Sequence, residues 1–341
     1  MELAQRKVKI LKAIVEAYIK TGDPIGSKAL CSALDFPVSS ATVRNEMAEL
    51  AELGLLIQPH TSAGRIPSQA GYRLYVNELM ERRTLPNEFK LYIIGALEEA
   101  DDDPEKILRR SSEVIAELCH ITAITTAPSS ATARIRHLRF VQTGRQTCMV
   151  VLITSTGLIK NRLFKCDYVI TPEIIRIFEE SLNRKLAGLP IVNVTPAFMQ
   201  TLAVEFGELA MLIPSVLAAI MEACFDMNNI SLAVSGRLNL AFDDEHDPIT
   251  ARELLRLLNS NDELESVVMS LMPESRILIG SEIGHKALES FCVITEPYSL
   301  DNASGGMLAA IAPQRTDYAF LTAVMEYTSE CVSKLICELI S

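Results

Sequence analysis

Tryptophan is absent from this 341-residue chain, and aromatic residues make up only 6% of it. Its interior must therefore be filled mainly by aliphatic side chains. Although 49% of residues are hydrophobic, the longest stretch without a charged residue, Leu186 to Val204, is interrupted by Gly188, Pro190, Asn193 and Pro196, so a soluble chain without a membrane span is expected. Cys-x-x-Cys is missing as well. The eight cysteines, at 31, 119, 148, 166, 224, 292, 331 and 337, are scattered, and several fall on apolar stripes as buried free thiols do. A reducing cytoplasm follows as the expected location. The start, Met1 to Lys7, opens a charged amphipathic helix rather than a secretory signal. Five histidines, none at ligand spacing with a second His or Cys, give no reason to expect a metal. Phosphate-binding loops, Gly-x-Ser-x-Gly elbows and His-Glu-x-x-His helices are all missing, so neither a catalytic residue nor a cofactor is expected and the chain does not read as an enzyme.

Positive charge is also scarce overall. The chain carries 32 basic and 43 acidic residues, net −11, which argues against a general nucleic-acid binder. The deficit is uneven. Residues 1–84 hold 11 Lys or Arg and 9 Asp or Glu, leaving 21 against 34 in the remainder. A nearly neutral head on an acidic body suits a modest DNA-binding unit that gains affinity by pairing with a second copy.

What the head does contain is specific. Helix one is expected over Gln5 to Ile19, with Val8, Leu11, Ile14, Val15 and Tyr18 on one stripe. Gly22 and Pro24 end it, Ser27 is placed to cap a second helix over Lys28 to Leu34, and Ser39 or Ser40 caps a third, Ser40 to Leu53. Val43, Met47 and Leu50 form the buried face of helix three. Ser40, Thr42, Arg44 and Asn45 then lie outside, near its N-terminal end, while Glu46, Glu49 and Glu52 face away from phosphates. Arg can bond guanine bidentately and Asn can do so with adenine, while Ser and Thr reach base or phosphate. After Gly54, the strand-like run Leu55 to Pro59 is turned back by His60 to Gly64, with Arg65 beside the turn. Two crossing helices and a tight basic hairpin describe a winged helix-turn-helix. The expected DNA-binding residues are Ser39, Ser40, Thr42, Arg44 and Asn45 on helix three, and His60, Thr61, Ser62 and Arg65 on the wing, His60 chiefly shaping the hairpin.

Beyond the head, Ser68 to Leu79 is expected to be helical, Glu81 to Thr84 a boundary, and Leu85 to Ala100 a linking helix broken by Asp101 to Pro104. A further helix runs to His120. Strands are then expected at Arg134 to Val141, Cys148 to Thr154 and Leu158 to Lys165, and helices at Pro172 to Leu186, Thr201 to Asp226 (kinked or divided by Pro214) and Thr250 to Leu258. Strands return at Arg276 to Ile279, Phe291 to Ile294 and Met307 to Ala312, before a last helix, Ala319 to Ile340. This order suggests an α+β multidomain chain whose sheet domain is interrupted by an insertion. Asp243 to Asp247 reads as a solvated loop and Asn302 to Gly306 as a hairpin turn.

Three segments of the head, Ser40-Ala41-Thr42-Val43-Arg44-Asn45, His60 to Pro67 and Gly71-Tyr72-Arg73-Leu74-Tyr75-Val76, resemble the HrcA family of bacterial heat-shock repressors. Ile25-Gly26-Ser27 resembles that family's opening of helix two. Ala312 to Tyr318 resembles its Gly-Pro-x-Arg-Met-x-Tyr element, with Ala for Gly and Thr for Met. The resemblance implies a winged-helix head (1–84), a linker helix (85–107), a GAF-like α/β domain (108–169 and 273–341) and a dimerisation domain (170–272) inserted into it. It further implies a repressor of chaperone operons that binds double-stranded inverted-repeat operator DNA as a homodimer, with activity dependent on the chaperonin GroEL and lost on heat stress. A small-molecule-sensing regulator using the GAF-like domain is the alternative.

Overall fold

The computed structural model describes residues 5–60, 63–100, 103–128, 133–206, 213–228, 231–240, 248–271, 274–300 and 303–340. Helix α1 (Gln5–Thr21) buries Ile10, Leu11, Ile14 and Val15 completely, the stripe that 3.6-residue periodicity demands. It stops where Gly22 takes a φ of +75° and its N–H returns to Tyr18 O. α2 (Ser27–Ala33) and α3 (Ser40–Glu52) follow. The expected Ser27 cap is not formed. α2 begins at Ser27 itself with Gly26 in the cap position, and the Ser27 hydroxyl pairs with that of Ser40 at 3.0 Å.

The wing consists of β1 (Leu56–Ile57) and β2 (Ile66–Pro67), paired antiparallel. A third chain segment widens it, because Ile25 and Arg65 exchange both backbone hydrogen bonds at 2.9 Å. Gly64 is confined by that pairing: a Cβ there would lie 2.4 Å from the Ile25 carbonyl. α4 (Gln69–Leu74), capped by Ser68, ends the head and runs on as one π-helical turn, Tyr75–Leu79.

The body is built on a five-stranded antiparallel sheet of β3 (Thr122–Thr126), β7 (Leu232–Ser235), β8 (Arg276–Ile279), β9 (Phe291–Leu300) and β10 (Ala303–Pro313), in the order β7-β3-β10-β9-β8. Alternation along β10 divides its side chains between two cores. Leu308, Ala310 and Ala312 pack with α5 (Asn87–Glu98), α6 (Pro104–Cys119) and α12 (Tyr318–Ile340), whereas Met307, Ala309 and Ile311 pack with α10 (Pro248–Asn259) and α11 (Asn261–Leu271). The first of these cores continues without a break into the head, as far as Ile10 and Met47.

Strands β4 (Ile135–Gln142), β5 (Thr147–Thr154) and β6 (Ile159–Lys165), expected to share a domain with residues 273–341, make a separate three-stranded antiparallel sheet. α7 (Pro172–Leu186), α8 (Pro196–Glu205) and α9 (Pro214–Asn228) cover one face of it and share its core. This unit sits inside the connection between β3 and β7, neighbours in the larger sheet, where Ala127 N donates to Ser231 O at 2.9 Å. Adjacent strand ends accept a long insertion at little entropic cost.

Pro214 divides the helical stretch expected over Thr201 to Asp226, since α8 ends at Glu205 and α9 begins at Pro214; Ile213, Leu217 and Ile220 are buried in the unit's own core. One further expectation is corrected. The hairpin turn does not extend over Ala303 to Gly306, which belong to β10. The register shifts between Ser304 and Met307, and a Cβ on Gly305 or Gly306 would come within 2.6 Å of the Tyr298 or Thr126 carbonyl oxygen. Met211, Leu212, Asp243 to Asp247 and Asn302 lie outside the described residues.

Candidate nucleic-acid interface

The arrangement of α3 follows from its ends and its buried stripe. Val43, Met47 and Leu50 fix its rotation against α1. Ser39 is its cap: the hydroxyl accepts from Thr42 N at 3.1 Å and bonds Thr42 Oγ1 at 2.8 Å. Ser40 is held by Ser27 across the α2–α3 turn. The three expected hydroxyls are thus occupied in shaping the helix start, though each retains oxygen lone pairs for an outside donor.

Arg44 and Asn45 are placed differently. Both are exposed, and among the described residues neither makes a side-chain hydrogen bond or ion pair. They lie in the second turn of α3, close to its partially positive N-terminal end. Lys28 on α2 is exposed nearby in sequence and likewise has no ion-pair partner among the described residues.

Two of the three acidic residues of α3, Glu46 and Glu49, are neutralised from the side. Glu46 is buried, on the stripe between Val43 and Leu50. Its Oε1 takes Arg6 Nη2 at 2.6 Å and Arg6 Nε at 2.8 Å, with Lys7 Nζ 3.3 Å from Oε2. Burial pushes the Glu46 pKa up, but the bonds from Arg6 and Lys7 together outweigh it and hold the carboxyl below its ordinary value. Glu49, one turn beyond Asn45, is drawn to Lys7 Nζ at 2.8 Å. Its negative charge is partly cancelled where it would repel phosphate. The buried ion pair is absent from the expected site. Its signal was the coincidence of Glu46 with the apolar stripe and of Arg6-Lys7 with the facing helix.

On the wing, His60 is exposed, and its carbonyl accepts from Ala63 N at 2.9 Å, which closes the tip. Thr61 and Ser62 lie outside the described residues. Arg65 is half-buried, and its guanidinium donates to Gln58 Oε1, while Gln58 Nε2 donates to Ala63 O at 3.1 Å. Gln58 therefore braces Arg65 across the hairpin, a role that spacing alone does not reveal. All eight cysteines are free thiols. Among the described residues no cluster of His, Cys, Asp or Glu could hold a metal, and no helix is long and apolar enough to cross a membrane.

This geometry can be set beside known proteins. Residues 105–321 match the family model described as HrcA protein C terminal domain. The heat-inducible transcription repressor HrcA of Alkaliphilus metalliredigens is 31% identical over 338 residues, 98% of each chain. Its counterpart from Geobacter sulfurreducens is 30% identical over 338 residues, again 98% of each chain. A 2.2 Å crystal structure described as a hypothetical protein superposes with a TM-score of 0.64 at 24% identity, covering 99% of this chain and 100% of that one, and so shares the fold. The chain belongs to the HrcA family of heat-inducible transcription repressors.

Proposed function

We propose that residues 1–84 form a winged helix-turn-helix that binds an inverted-repeat DNA operator, and that the protein acts there as a non-enzymatic repressor in the cytoplasm. The observation that carries this is the contrast along α3: Arg44 and Asn45 stand exposed and unengaged, while the Ser39, Ser40, Thr42, Glu46 and Glu49 side chains are tied within the head. Arg44 and Asn45 read base edges; Arg65, with His60, Thr61 and Ser62, serves the minor groove or backbone. In gel-shift titrations at fixed salt, Arg44→Ala should cost about 1–3 kcal/mol at the operator and relax base preference, whereas Arg65→Ala weakens specific and non-specific binding alike. Unchanged operator affinity in Arg44→Ala and Asn45→Ala would remove the assignment.

The operator-binding form is a homodimer, joined through the inserted unit at about residues 133–228, and the five-stranded body is GAF-like. The outer face of the small sheet supports this dimer surface. Val141, Met149 and Leu163 lie side by side there, as do Ile153 and Ile159, and Ile159 and Leu163 remain 55% and 63% exposed. Dependence on GroEL is supported by topology: β3 must pair with β7 and β10, whose residues lie more than a hundred positions away. Such pairings form late and leave sheet edges open meanwhile. Protein refolded alone should have little operator affinity, and GroEL with ATP should restore it. Full unaided recovery would overturn that dependence.

A further inference from the structure

Helix α4 has partners on two sides. Toward the wing, Ser68 Oγ accepts from Gly71 N at 3.0 Å and donates to Gly54 O at 2.6 Å. Gly71 lies so close to the residue that precedes β1 that a Cβ would sit 2.2 Å from Leu55 O. Toward the body, Gln69 and Arg73, one turn apart, meet β8 and the 3-10 turn Gly280–Ile283 that follows it. Gln69 Nε2 donates to Ser281 Oγ at 3.0 Å, and Ser281 N donates to Gln69 Oε1 at 3.3 Å. Arg73 donates from Nε to Glu282 Oε1 at 2.9 Å, from Nη2 to Glu282 Oε2, and from Nη2 to Ile277 O at 2.6 Å. Glu282 is itself fixed by Ile279 N at 2.9 Å, and the two charged side chains are only 26% and 29% exposed.

Other contacts brace the same joint. Arg315 Nη1 donates to Ile19 O at 3.0 Å, near the C-terminal end of α1 where carbonyls need donors. Arg83 Nη1 meets Asp317 Oδ2 at 2.9 Å, and the Tyr72 and Tyr318 rings pack at 5.9 Å.

We infer that Arg73 and Glu282 are positioning residues for DNA recognition: their forked contact holds the reading head at one angle to the body, so that the body dictates the spacing and phase of two operator half-sites. The inference rests on the homodimeric operator binding proposed above. A bidentate Arg–carboxylate pair resists rotation where a single contact would act as a pivot. Each base pair added between half-sites turns one about 35° relative to the other. A head at a fixed angle accepts one phase, and a head on a tether accepts several.

The test uses full-length protein and double-stranded inverted repeats, first selected by the wild type from random-sequence duplexes. Half-site separation is then varied by one to five base pairs. The wild type should show one sharp optimum. Arg73→Ala, Glu282→Ala and the double variant should bind the optimal repeat about tenfold more weakly, bind a single half-site as the wild type does, and show a flattened spacing profile. The double variant should weaken binding by less than the product of the two single effects, because the fork between Arg73 and Glu282 is lost in all three. Gln69→Ala, which leaves both charges in place, provides a milder version should the others melt early. A spacing optimum as sharp in the folded variants as in the wild type would overturn the joint's role while leaving operator binding intact. A wild type that prefers no paired half-sites would overturn the homodimeric reading, and this inference with it.

Discussion

The head and the inserted unit are both small and helix-rich, yet they join the body in opposite ways. The head shares one continuous core with α5, α6 and α12, so that Ile10 and Ile336 belong to the same packed cluster. The insert has its own core, from Ala133 to Met227, and enters the body through the two ends of a β-hairpin. A unit that shares a core responds when that core loosens, whereas a unit with its own core can hold together independently. Under the function proposed above, release of DNA on warming would draw on the first arrangement at the reading end, and a lasting dimer contact on the second.

The largest expected effect tests the shared core. Tyr318 is fully buried in α12, packs against Tyr72 of the head and donates to Gln314 O at 2.7 Å. Tyr318→Ala should cost about 3–5 kcal/mol, and hydrogen exchange should quicken in α1, α3 and the five-stranded sheet together. Leu182→Ala, in the insert, should cost about 2–5 kcal/mol but speed exchange only between residues 133 and 228. If the head keeps its protection in Tyr318→Ala, the two cores are not coupled as described.

Removing the insert altogether should have the next largest effect. With residues 129–230 replaced by a short turn, β3 and β7 would become an ordinary hairpin. The remaining chain should fold, sediment as a monomer and lose about a hundredfold or more in operator affinity as its second head is lost. A persistent dimer would refute the placement of the interface.

The same division governs how much was legible in the sequence. The head was largely readable because its signals are local: the Val43, Met47, Leu50 stripe, the Ser39 cap, and the turn before Gly64. β3 and β7 escaped because they carry no alternation. All five residues of Thr122–Thr126 are buried, and their partners come from across the insertion. Without β3 and β7, the boundaries of the insert could not be placed either. β9 runs past Pro297, where a strand was not expected, because β8 pairs only as far as Thr295 and the proline lacks no partner on that open side. The joint at Arg73 and Glu282 was beyond local reading, since its halves lie 209 residues apart.

The smallest predicted effect sharpens the contrast within the head itself, between the two polar faces of α3. Glu46 is turned inward to Arg6 and Lys7, while Arg44 and Asn45 face out, so Glu46→Gln should disturb stability without disturbing base preference. Arg6 is half exposed, which screens the pair, and the expected cost near neutral pH is about 1 kcal/mol. Because the folded carboxyl is held below its ordinary value, its stabilising contribution is complete above the usual glutamate range and fades as pH falls through the folded value. Wild-type amides from Val43 to Leu50 should therefore lose exchange protection on acidification more steeply than those of Glu46→Gln, whose side chain does not titrate. Equal slopes in the two proteins would show that Arg6 and Lys7 contribute nothing to holding α3 in place, and changed operator preference in the variant would show that Glu46 also acts on the DNA-facing side.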